Sequence, residues 1–207
     1  MVKVTARPAN PFINYCRFDR RVDLAHNRAI SKDIRVKLPT FFIFVNMSNM
    51  IEALQQQYEL ARSTRGIVFN FLTVQVGDDL NSPIPAFDNK TIRELLEHTA
   101  YCYYNWLAGF ARQRPPLAGR NDTTLDDLKQ LYSLVDDTVA TFLETFHGKM
   151  ESPIAGVHDG MGQLSATPLA VFTHVLTHEF HHKGQIMAMC RLLGYPPPDT
   201  DVSNFFF

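Results

Sequence analysis

The chain has 207 residues, 45% of them apolar and 20% charged, the composition of a globular chain with one core rather than of a disordered or fibrous one. Its net charge of -1 excludes a general attraction to nucleic acid or to anionic membranes. The three cysteines, Cys16, Cys102 and Cys190, are odd in number, far apart and in no C-x-x-C pair, which excludes a disulfide framework or a cysteine zinc site and points to a reducing, cytoplasmic setting.

Charge is unevenly spread. Residues 1–46 carry nine Lys/Arg against three Asp/Glu, and the remainder carries eleven against eighteen. The first segment shows neither helical nor strand periodicity and contains Pro8, Pro11 and Pro39. It reads as a basic tail, disordered or outside the functional domain. It has no apolar h-region of a secretory signal, and its longest apolar run, Phe41 to Val45, is too short to span a bilayer.

Helical spacing begins at Ser48, with Ile51, Leu54, Tyr58, Ala61 and Arg65 on one face and continuation to Phe69 and Leu72. A polar loop with Pro83 and Pro85 follows. Thr91-Ile92-Arg93-Glu94 is a capping box that starts a second helix through Leu95, His98, Cys102, Trp106 and Phe110 to about Arg112, stopped by Pro115-Pro116. A third helix starts near Asp122-Thr123-Thr124, carries one broad apolar face from Leu125 to Phe146, and closes at Gly148. Residues 148–166 hold four of the ten glycines and read as an irregular connector with room for a short hairpin. Thr167-Pro168 opens a fourth helix that runs to Leu193 and ends at Gly194 and Pro196-Pro197-Pro198. The expected fold is all-α, a four-helix bundle over residues 47–201, with residues 202–207 as a C-terminal tail.

Four of the eight histidines, His174, His178, His181 and His182, fall within nine residues of the fourth helix. His178 and His182 lie one turn apart and about 40° apart on the helical wheel, so both rings can reach one ion. Val171, Val175, Ile186 and Met189 share their face, which directs the pair into the core. Gln185 lies near that face, within reach of a bound water or substrate. His174 lies a further turn back; three successive turns spread the rings over about 11 Å, so it is expected beside the ion rather than on it. His181 points away and reads as peripheral.

The run His178-Glu179-x-x-His182 also matches the zinc-protease signature. That reading needs a downstream third ligand. The extended pattern places Gln185 and Ala188 where ligands would stand, and no glutamate follows Glu179. The third ligand is therefore expected from another helix, and His98, in apolar company on the second helix, is the best placed. Glu179 reads as a general base or as an orienting partner of a ligand, with the orienting role preferred. Tyr101 and Gln185 read as substrate contacts, and Cys102 and Cys190 as core thiols. His147 and His158, in or beside the connector, are expected to be ligands only by accident.

The run H-V-L-T-H-E-F-H-H-K-G-Q-I from His174 to Ile186, followed by a leucine-rich turn, Gly194, Pro196 and an Asp, resembles the last helix of the DinB/YfiT-like family. The stretch T-I-R-E-L-L-E-H ending at His98, with Trp106, is also similar to that family. The resemblance covers residues 48–201. It implies a four-helix bundle, often a homodimer, with one divalent metal held by His98, His178 and His182. It further implies a thiol-dependent S-transferase or hydrolase acting on a small molecule, with a low-molecular-weight thiol as co-substrate. Zinc, nickel, manganese or iron all suit three imidazoles. The competing expectation is a non-catalytic, stress-induced metal-binding dimer. No nucleic-acid or membrane partner is expected.

Overall fold

The computed structural model describes residues 47–117, 124–158 and 161–206, with side chains from residue 50 onward. The expected basic tail over residues 1–46 lies outside the described residues, as does the segment just before Thr124.

Helix α1 spans Met47–Phe71 and passes directly into a π-helical stretch, Leu72–Val76, and a 3-10 turn, Gly77–Asn81. The face read from the sequence is the buried one: Ile51, Leu54, Tyr58, Ala61 and Arg65 are all under 9% exposed. Helix α2, Ile92–Tyr104, starts at the expected capping box, where Thr91 Oγ1 accepts from Glu94 N at 3.1 Å and Thr91 N donates to Glu94 Oε2 at 2.8 Å. It too widens into a π-helical segment, Asn105–Phe110, carrying Trp106. Helix α3, Leu125–Thr145, has a second capping box between Thr124 and Asp127. Helix α4, Pro168–Leu192, begins with Thr167 as its cap and proline in its first turn.

The glycine-rich connector contains an antiparallel hairpin of β1, Ile154–His158, and β2, Gly162–Ala166, with Ile154 opposite Ala166 and His158 opposite Gly162. Gly156 lets β1 approach the π-helical end of α2. A Cβ at that position would lie 2.6 Å from the Phe110 carbonyl oxygen, so only glycine fits without displacing backbone. The hairpin thereby lays His158 against Trp106, at 4.3 Å between ring centroids.

One core unites the helices. Leu72 of the π-helical turn, Tyr103, Leu107 and Phe110 from the α2 segment, Leu128 and Phe142 of α3, and Phe172 and Met189 of α4 are essentially fully buried. The last residues fold back: Tyr195 donates to Asp79 at 2.6 Å, and Lys183 of α4 donates to the Thr200 carbonyl at 2.7 Å. The segment read as a C-terminal tail includes a 3-10 turn, Val202–Phe205. Among the described residues, no helix is long and apolar enough to cross a membrane.

Candidate metal centre

Helices α2 and α4 pack antiparallel, so residues one turn forward on α2 meet residues one turn back on α4. His98 projects from the middle of α2 and meets His178 and His182 of α4. The His98 and His178 Nε2 atoms face each other at 3.0 Å. Ring centroids lie 5.0 Å apart for His98 and His178, 4.8 Å for His98 and His182, and 4.3 Å for His178 and His182. One nitrogen from each ring falls within 4.8 Å of the other two. Two imidazoles on one tetrahedral ion, each about 2.1 Å from it, stand about 3.4 Å apart, so the rings fit a shared cation with little adjustment.

The donor set suits that fit chemically. Burial holds His98 down to about 4, with repulsion from His182 and Lys90 adding to it. Burial likewise lowers His178 to about 3, with His182, His98, His174 and His181 all disfavouring its charge. His182 is lowered by burial despite its hydrogen bond to Gln185. All three are therefore neutral near pH 7, the form that binds metal. Gln185 sits 2.6 Å from His182, its Oε1 accepting from Nδ1–H, which leaves Nε2 with its lone pair toward the cluster. Gln185 thus contacts the His182 ring directly, whereas the sequence had assigned it to water or substrate.

Glu179 lies elsewhere. Its carboxylate is buried and accepts from Arg65 Nε at 2.7 Å, Arg65 Nη2 at 3.0 Å and the Tyr103 hydroxyl at 2.6 Å. Arg65 also donates to Asp136 at 2.9 Å, and Tyr58 donates to the same carboxylate at 2.6 Å. The guanidinium lies over the Tyr132 ring at 4.6 Å. Burial opposes the Arg65 charge, but the Glu179 carboxylate more than offsets this and holds Arg65 protonated. Burial raises Tyr103, and the neighbouring Glu179 charge raises it further, so its hydroxyl stays a donor. The group joins all four helices. Arg65 was visible in the sequence as a charge on the apolar face of α1; its partners were not, because they come from three other helices.

Tyr101 is buried on α2, three residues past His98. His174 is exposed and sits one turn from His178, with ring centroids 5.5 Å apart. Its Nε2 lies 3.7 Å from Cys102 Sγ, and its ring lies 4.9 Å from Trp106. His158, read as a bystander, is 3% exposed and borders this group. Only the pairing of the hairpin with α2 brings it there, and no periodicity encodes that. His181 is exposed, as expected.

Compared with known protein families, residues 47–206 match the model of the DinB family, ending five residues beyond the boundary read from the sequence. No curated protein matches the chain.

Proposed function

The chain belongs to the DinB family, and from that premise we propose that it is a divalent-metal-dependent enzyme whose ion is held by His98, His178 and His182. The convergence of three neutral imidazoles from two antiparallel helices is the observation that carries this reading. Three neutral ligands leave the cation its full charge, which lowers the pKa of a bound water or thiol toward neutrality. The protein's own residues supply the frame. Gln185 fixes the His182 tautomer. Burial keeps the rings unprotonated. Glu179, tied to Arg65 and Tyr103, sets the rotation of α4 rather than moving a proton. Tyr101, buried three residues past His98 on α2, is the candidate substrate contact of this reading.

The reaction class that suits such a site is thiol-dependent S-transfer or hydrolysis of a small molecule, with a low-molecular-weight thiol as co-substrate. Zinc, nickel, manganese or iron are the candidate ions for three imidazoles. We infer a cytosolic homodimer from the cysteine usage and the family resemblance; light scattering on the purified chain checks the stoichiometry.

Metal content by mass spectrometry tests the site, on tag-free protein alongside His98→Ala and His182→Ala. About one equivalent in the wild type, lost in both variants, is the expected outcome. A wild type that takes up no zinc, nickel, manganese or iron would sink the proposal. Metal bound without turnover of any thiol and electrophile pair would favour the non-catalytic binding protein instead.

A further inference from the structure

The α2–α4 seam repeats itself. One turn beyond His98 on α2 stands Cys102, about 6 Å along the axis. One turn before His178 on α4 stands His174. Because the helices are antiparallel, these steps move the same way along the seam, and Cys102 meets His174 as His98 meets His178. Cys102 Sγ lies 3.7 Å from His174 Nε2. One ligand atom each from Cys102, His174 and His178 falls within 4.8 Å of the others. We propose that Cys102, His174 and His178 form a second cation position, one helical turn from the three-histidine site and sharing His178 with it, and that it takes soft, thiophilic ions.

The donor chemistry sets the preference. Three imidazoles accept many divalent ions, whereas a thiolate selects soft ones such as Cu(I), Zn(II) or Cd(II). Binding exchanges the Sγ proton for the cation and releases that proton to solvent. The surroundings suit such an ion. Cys102 is 2% exposed, so the sulfur side is dry, while His174 is exposed and gives an entry from solvent. Trp106, the only tryptophan, borders the position, its ring 4.9 Å from that of His174. Shared use of His178 couples the two positions, so a soft ion at the second competes with an ion at the first.

Cadmium titration of the reduced, metal-free full chain tests this. The readouts are the ultraviolet thiolate-to-metal charge-transfer band and tryptophan emission. The wild type is expected to develop the band and to change its emission in step. Cys102→Ser should abolish the band, and His174→Ala should weaken cadmium binding about tenfold or more. His98→Ala should keep the band while losing nickel. A band that survives in Cys102→Ser would assign the thiolate to Cys16 or Cys190 and overturn the proposal, as would no band in the wild type. Should Cys102→Ser fail to fold, His174→Ala decides alone, since its side chain is exposed: unchanged cadmium affinity there refutes the position. Nickel retained in His98→Ala would instead count against the three-histidine reading and leave this one standing.

Discussion

Burial and mutual repulsion hold His98 near 4 and His178 near 3, well below the ordinary histidine value of 6.5. An unfolded chain leaves both rings in water and takes up protons as pH falls through about 6.5, while the folded chain does not. The folded state is therefore fully favoured above that pH, and the advantage drains as pH falls toward the folded values. For the metal-free protein this predicts a decline in unfolding free energy between about pH 6.5 and pH 4, with His98 contributing about 2–3 kcal/mol. Urea titrations at several pH values measure it. A His98→Gln variant should flatten the profile, and an equally steep one would show that other groups carry it. The i, i+4 spacing showed that His178 and His182 share a face; His98, on another helix, was expected beside them only from its apolar company and the family resemblance. The sequence did not reveal that Gln185 would turn to His182, since a side chain three residues on can serve either its own helix or the open site.

At the scale of elements, the bidentate Arg65–Glu179 pair matters more than its distance from the histidines suggests. It links α1 to α4, with Tyr103 of α2 and Asp136 of α3 completing the join. Glu179 follows His178 directly, so anything that rotates α4 at one residue rotates it at the other. Glu179→Gln keeps the shape but leaves a buried guanidinium short of its main counter-charge. The expected cost is about 3–5 kcal/mol, read by chemical denaturation. Metal content per folded molecule should stay unchanged, whereas a carboxylate acting on the ion or substrate would lose turnover without losing stability. The caps at Thr91 and Thr167, the four helices and the apolar stripes were legible, being written in local spacing. The π-helical ends of α1 and α2 and the burial of His158 were not. The burial of His158 depends on where Gly156 lets the hairpin touch Phe110, a contact between segments 46 residues apart.

At the scale of the whole molecule, the facing pair His98 and His178 lies 80 residues apart in the chain. A cation gripped by both fastens the two ends of a loop that contains all of α3 and the hairpin. The unfolded chain does not hold these ligands together, so the ion binds the folded chain alone and lends its binding free energy to the whole fold. Its effect should therefore reach elements that donate no ligand. Stripping the metal with a chelator is expected to speed amide hydrogen exchange in α3 by about tenfold or more. Acceleration confined to the turns around His98 and His178 would mean that the ion steadies only its own neighbourhood. Metal supply would then govern how long the bundle stays closed, independently of any reaction it performs.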